Sequence, residues 1–267
     1  MGTEEATTSV KLGDINVEII DRGKGRPLVF LHSAEGIAEC EPFFSCIETS
    51  TRLIATSHPG FGRTDLPAPF CTIDDLAYFY LDLFDKLQLR DAILVGASFG
   101  GWIAAEIAVR STAHLSHLIL ADALGIRVSK DETEVEIQDV FTLNPVELER
   151  RKFVDPAKWK RNHSELSDDV LSIIARNRES SALFGWSPYM YNPLLLRWLH
   201  RINVPTLVLW GEHDGIASVD YGRSYAAAIP GARFDLVPDA AHLPHLEQPA
   251  RFATLVAKFA GITPALS

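Results

Sequence analysis

Ala92–Val109 reads AILVGASFGGWIAAEIAV, and this stretch decides the fold. Ala92–Val95 is a short continuous apolar run, the pattern of a strand buried on both faces. Phe99–Val109 is apolar and rich in Ala, long enough for three turns of helix. Between them stands Gly96-Ala97-Ser98-Phe99-Gly100, a G-x-S-x-G. A serine on so sharp a strand-to-helix turn presents its hydroxyl above the sheet edge, and the flanking glycines let the backbone turn that tightly.

Outward from this unit the same rhythm repeats. Pro27–His32 (PLVFLH), Arg52–Thr56 (RLIAT), Leu118–Ala121, Thr206–Trp210 (TLVLW) and Phe234–Val237 read as further strands. Asn16–Asp21 alternates enough to be an edge strand, closed by the turn Arg22-Gly23-Lys24-Gly25. Ile73–Leu87 is a helix on its spacing, with Ile73, Leu76, Tyr80, Leu83, Phe84 and Leu87 on one face. Thr72 followed by Asp75 gives it a capping-box-like start. Pro249–Phe259 is a closing helix. Strands alternating with helices predict an α/β fold, a mostly parallel sheet with helices on both faces. The rhythm breaks once. From Gly125 to Arg201 there are only charged helical stretches, followed by the aromatic run Phe184-Gly185-Trp186-Ser187-Pro188-Tyr189-Met190-Tyr191. The expected organisation is a core domain of residues 1–124 and 202–267 carrying a helical insert, 125–201.

The bulk numbers agree. A chain of 267 residues, 47% hydrophobic and 22% charged, builds a core that needs no disulfide or metal. Its net charge of −10 is scattered, so phosphate backbones and anionic lipid surfaces would repel it. No nucleic-acid or membrane partner is expected, only a small-molecule substrate. Met1–Val10 is acidic and polar, unlike a signal peptide, and no stretch approaches the roughly 20 apolar residues that span a bilayer. Cys40, Cys46 and Cys71 make no C-x-x-C spacing and read as reduced packing residues. A soluble, cytoplasmic chain without cofactor or metal is expected; oligomeric state cannot be read from the sequence.

A serine hydroxyl is a poor nucleophile until a base takes its proton, and an acid must orient that base. Trp210-Gly211-Glu212-His213-Asp214 supplies a carboxylate just past one strand, and Asp239-Ala240-Ala241-His242-Leu243-Pro244 a histidine just past the last. Ser98, Asp214 and His242 follow the chain order of nucleophile, acid and base expected for such a sheet. Asp122 is a rival acid, since it too follows a strand, and His245 a rival base. The remaining histidines show no metal-site spacing.

On these pieces the chain resembles the α/β-hydrolase superfamily, in the group of small bacterial serine esterases and meta-cleavage-product hydrolases. The similarity runs from Leu31-His32 through Pro59-Gly60-Phe61-Gly62, Gly96–Gly100 and Gly211–Asp214 to Ala241–Pro249 (AHLPHLEQP). It implies Ser98 as nucleophile, Asp214 as acid and His242 as base, with an oxyanion hole from the backbone N–H groups of Phe99 and Ala34. Two departures stand out. His32-Ser33 replaces the usual His-Gly, which offers a Ser33 hydroxyl to the substrate. Ser57 stands where Asp is common, which leaves a structural hydrogen bond unaccounted for. Phe184, Trp186, Tyr189 and Met190, faced by Phe141, either line a substrate pocket or seat the insert.

The resemblance implies hydrolysis of a small carboxylic ester or related acyl compound through an acyl-enzyme. The alternative is C–C bond hydrolysis of a diketone-like meta-cleavage product, although Ser33-Ala34-Glu35-Gly36 lacks the Gly-rich loop many such enzymes carry. Lyase chemistry is disfavoured because Leu243 follows His242 where hydroxynitrile lyases of this fold have Lys. A non-catalytic ligand receptor would have no need of all three triad groups. Ser98 argues against dehalogenases and epoxide hydrolases, whose nucleophile is Asp.

Overall fold

The structure, a computed structural model, describes residues 8–131 and 133–262. Eight strands form one sheet in the order β1-β2-β4-β3-β5-β6-β7-β8. They are β1 (Thr8–Leu12), β2 (Ile15–Gly23), β3 (Pro27–Leu31), β4 (Arg52–Thr56), β5 (Ala92–Ala97), β6 (Leu115–Ala121), β7 (Thr206–Gly211) and β8 (Arg233–Val237). The β1–β2 and β2–β4 pairs are antiparallel, and every pair from β4 to β8 is parallel.

Successive residues of a strand point to opposite faces, and here both faces are dry. Leu28, Phe30, Ile93, Val95, Ile119, Leu207 and Leu209 enter one buried cluster. Val29, Leu31, Leu94, Leu118, Leu120, Val208 and Trp210 enter the other. Helices α1 (Glu41–Ile47), α9 (Pro244–Glu247) and α10 (Pro249–Ala260) cover the first face; α2 (Ile73–Lys86), α3 (Phe99–Arg110) and α8 (Val219–Ala227) cover the second. The capping box is formed: Thr72 Oγ1 accepts from the Asp75 N–H at 3.2 Å, and the Asp75 carboxylate accepts from the Thr72 N–H at 2.9 Å.

Between β6 and β7 the chain carries α4 (Pro145–Lys152), α5 (Pro156–Trp159), α6 (Asp168–Gly185) and α7 (Leu195–Trp198). Its β contacts among the described residues are two isolated bridges, Gly125 with Tyr191 and Ile137 with Ala217. No described helix is long and apolar enough to cross a membrane.

Two expectations are corrected. The strand at Asn16–Asp21 is not an edge, because β1 pairs outside it; Thr8–Leu12 is half exposed and shows too little apolar patterning to be read as a strand. Helices α1 and α8 are short and interrupted by polar residues, so their spacing carries no helical pattern. Of the cysteines only Cys40 packs inside, while Cys46 and Cys71 are exposed.

Candidate active site

Ser98 sits between β5 and α3 with φ 52° and ψ −112°, a conformation L-residues rarely adopt. Its surroundings enforce it. The Ser98 N–H donates to Ala121 O at 2.8 Å, and its carbonyl accepts from the N–H groups of Trp102 (3.1 Å) and Leu124 (3.2 Å). Glycine is required on both sides. A Cβ at Gly96 would fall on the Gly100 carbonyl and Ala104, and one at Gly100 on the carbonyl oxygens of Leu31 and His32. The end of β3 therefore lies directly against the start of α3.

The structure brings the three sequence-predicted groups together. Ser98 Oγ lies 2.7 Å from His242 Nε2, and His242 Nδ1 lies 2.8 Å from Asp214 Oδ2. The side chains of His242 and Asp214 are 5% and 0% exposed, so this chain of bonds is shielded from water. Asp214 Oδ1 accepts from the N–H groups of Ile216 (2.7 Å) and Ala217 (3.1 Å), which fixes the carboxylate's plane. A carboxylate only accepts, so Nδ1 carries the imidazole proton and Nε2 is left bare to accept from the serine hydroxyl.

The two rivals occupy different places. Asp122 is fully buried and accepts from the Gly211 N–H at 2.8 Å, while its Oδ2 has no geometric hydrogen-bond partner among the described residues. Burial first, and then the charge of Asp214, push its carboxyl well above the usual range. Potential ligand atoms of Asp122, Asp214 and His242 lie within 4.8 Å of one another, but two of these residues are already bonded to each other. His245 is fully buried with both ring nitrogens unpaired, between Phe30 and Phe252, and burial lowers its pKa to about 3. It cannot reach Ser98 as the base does.

Phe99 opens α3, so its N–H has no acceptor one turn back in the helix. Ala34 is half-buried in the loop after β3. The Ser33 hydroxyl is buried and accepts from the Glu35 N–H at 3.3 Å. The carboxylate missing at Ser57 comes from another strand: Glu18 of β2 accepts from Ser57 Oγ (2.6 Å) and from the Arg63 N–H (2.9 Å).

The aromatic run divides in two. Phe184 and Met190 are buried, and the Met190 carbonyl accepts from the Gly125 N–H, so they seat the run on the core. Tyr189 donates its hydroxyl to Gln138 O (2.8 Å) and accepts from the Val140 N–H (2.7 Å). Trp186 stays 58% exposed, with the Phe141 ring 5.8 Å away.

Two residues that sequence reasoning missed, Lys152 and Asn177, hold the site's loops. The Lys152 carbonyl accepts from the His242 N–H at 3.1 Å, and its ammonium pairs with Glu35 (2.8 Å) and Glu149 (3.1 Å). Burial works against the Glu35 carboxylate, yet Lys152 and then Arg161 hold its pKa below the ordinary value. Asn177 of α6 accepts from the Gly62 N–H (2.8 Å) and donates to Glu35 O (3.2 Å). The bonds from Lys152 to Glu35 and from Asn177 to Gly62 and Glu35 join positions over 100 residues apart, and no local pattern signals them.

A 2-hydroxymuconate semialdehyde hydrolase of Pseudomonas sp. (strain CF600) is 28% identical over 261 residues, covering 92% of this chain and 90% of that one. Among solved structures, a meta-cleavage product hydrolase from Pseudomonas fluorescens IP01 superposes with TM-score 0.76 at 21% identity, covering 95% and 97%. A thermophilic esterase from Thermogutta terrifontis gives 0.75 at 24%, covering 95% and 96%. The profile of the alpha/beta hydrolase family matches residues 28–255, and the chain belongs to that family.

Proposed function

We propose that this protein is a serine hydrolase that cleaves a small carboxylic ester or related acyl compound through an acyl-enzyme on Ser98. The observation that carries the reading is the unbroken, buried bond chain from Ser98 Oγ through His242 to Asp214.

The chemistry follows from the directions of those bonds. Ser98 Oγ attacks the carbonyl carbon as its proton passes to His242 Nε2, and Asp214 stabilises the imidazolium that forms. The carbonyl oxygen becomes an oxyanion facing the N–H groups of Phe99 and Ala34, each worth about 10²–10³ in rate as a preorganised donor. The intermediate collapses as Nε2 returns its proton to the departing alcohol. Water then repeats the sequence on the acyl-enzyme, giving its proton to Nε2 and releasing the acid and Ser98.

The helical segment 125–201 acts in this reading as a cap on the core formed by 1–124 and 202–267. Its support is that α6 holds two loops beside the site: Arg176 and Ser180 both donate to Gly60 O, and Asn177 bonds Gly62 and Glu35. Labelling of Ser98 by a fluorophosphonate, together with turnover of p-nitrophenyl esters, tests the proposal. Absence of both would overturn it.

A second reading, C–C bond hydrolysis of a diketone-like substrate by the same three residues, is favoured by the similarity to the 2-hydroxymuconate semialdehyde hydrolase. Comparing kcat/KM for a vinylogous diketone with that for the best ester decides between them.

A further inference from the structure

Beneath the loop that carries Ala34 lies a buried polar cluster that the proposed mechanism leaves unused. His32 and His58 stack with ring centroids 3.7 Å apart, both fully buried, beside Tyr80 and Thr56. We propose that His32, His58 and Tyr80 are positioning residues that lock the Ser33–Ala34 peptide, and with it the Ala34 N–H offered to the reacting carbonyl oxygen. This rests on the Ser98 hydrolase reading above.

The proton positions follow from which partners can only donate or only accept. The backbone N–H of His58 can only donate, and it lies 3.0 Å from His32 Nε2, so that nitrogen is bare. The His32 proton is then on Nδ1, which donates to Ser33 O at 2.5 Å. The His32 carbonyl can only accept, and His58 Nε2 lies 2.9 Å from it, so that nitrogen carries a proton. Burial keeps both rings neutral: it lowers His32 to about 4 and His58 well below its ordinary value. His58 Nδ1 is therefore bare and accepts from the Tyr80 hydroxyl at 2.5 Å, whose oxygen accepts from Thr56 Oγ1 at 3.0 Å. Every member has one consistent role, running from Thr56 on β4 to the Ser33 carbonyl.

That carbonyl is held a second time by the Gly36 N–H at 3.1 Å. A peptide unit is planar and trans, so fixing the Ser33 C=O points the Ala34 N–H the opposite way. Among the described residues nothing accepts a hydrogen bond from the Ala34 N–H. The same cluster supports the other donor. Phe61 lies edge-on to both histidines, at 5.3 and 5.4 Å, and packs 5.6 Å from Phe99. Both oxyanion donors thus rest on one buried group whose protons have a single arrangement.

Two measurements test this. Long-range ¹H–¹⁵N NMR of the wild-type histidines at neutral pH should show His32 as the Nδ1–H tautomer and His58 as the Nε2–H tautomer; either opposite tautomer, or a cationic ring, overturns the proposal. Tyr80→Phe removes the donor to His58 Nδ1 and frees that ring to exchange tautomers. Loosening one donor, where its removal costs about 10²–10³, should lower kcat about tenfold with KM changed less than about twofold. Affinity for a trifluoromethyl ketone, which forms a tetrahedral oxyanion on Ser98, should fall by the same factor. Unchanged kcat and unchanged inhibitor affinity overturn the proposal, and if the variant does not fold the wild-type tautomers decide alone. Fluorophosphonate labelling of Ser98 should persist in Tyr80→Phe, which separates failure of this inference from failure of the hydrolase reading.

Discussion

The elbow unit and the helical segment between β6 and β7 hold their places by opposite means. All six residues of β5 are buried, as are eleven of the twelve in α3, and nearly all are apolar. In α6 five of 18 residues are buried, and three of those, Asn177, Ser180 and Ser181, are polar. The elbow is set by dense apolar packing, which is unforgiving of volume change but insensitive to single polar bonds. The segment is tied by a few long-range hydrogen bonds from α4 and α6 to the loops around Ser98. Under the proposed cap reading, a site assembled between such regions would join a rigid nucleophile to a more loosely tied segment.

The largest effect expected lies on the rigid side. Ser98→Ala should lower kcat by up to about 10⁶-fold, roughly 8 kcal/mol of transition-state stabilisation, while thermal unfolding stays close to wild type. Retention of a tenth of the activity on the best substrate would break the idea that the elbow carries the chemistry. Asp214→Asn should cost about 10⁴-fold, because an amide in place of the carboxylate favours the wrong imidazole tautomer. Asp122→Asn should cost less than about tenfold, since Asp122 bonds the Gly211 N–H rather than His242. The reverse ranking on one ester would move the acid to the end of β6.

This asymmetry also explains what was legible in the sequence. The strands from Pro27 onward could be read because burial on both faces demands continuous apolar runs, and PLVFL and TLVLW satisfy it. Ser98, Asp214 and His242 could be singled out because each lies within a few residues past the end of a strand. The edge strand Thr8–Leu12 could not, because its side chains meet water. Glu18 taking over from the absent carboxylate at Ser57 was equally hidden, since β2 pairing with β4 brings together residues 39 apart. Lys152 and Asn177 were invisible for the same reason on a longer scale.

Stability sharpens the comparison further. Phe30 is fully buried and packs on Phe43 and Phe44, so Phe30→Ala should cost about 3–5 kcal/mol in urea unfolding. Val146 on α4 is 72% exposed, and Val146→Ala should stay within about 0.5 kcal/mol. The core should also be acid-labile. His32 and His245 are pushed down to about 4 and about 3, and His58 well below its ordinary value, so the unfolded chain binds protons below its own value of 6.5 that the folded chain refuses. Stability present above pH 6.5 is therefore lost as pH falls toward 4. Asp122 and Glu247 oppose this, since burial raises both carboxyls and they take a proton in the folded state first, but the three imidazoles act with Glu35, whose carboxyl is held below its ordinary value. The urea midpoint should fall between pH 7 and 4.5. In His245→Phe, which places a third ring beside Phe30 and Phe252, that fall should be visibly shallower.

The smallest effect concerns the proposed cap. A wall gains from binding only where it has surface left to bury. Phe184 and Met190 are 6% and 2% exposed and have almost none, whereas Trp186 at 58%, beside the half-buried Phe141, has. Trp186 is the most exposed aromatic of the run, and in the proposed pocket it has the most surface left to offer a longer acyl chain. Each methylene it helps to bury is worth about 0.8 kcal/mol, so kcat/KM should rise about three- to fourfold per added carbon until the space is filled. Trp186→Ala should flatten that rise, leave the acetate ester nearly untouched, and shift unfolding by no more than about 0.5 kcal/mol, since little of the ring is packed. A series of p-nitrophenyl esters from acetate to octanoate on both proteins measures this directly. Indifference of the wild type to acyl length would reduce the whole run to seating, with Met190 and Phe184 doing that work and Trp186 doing none.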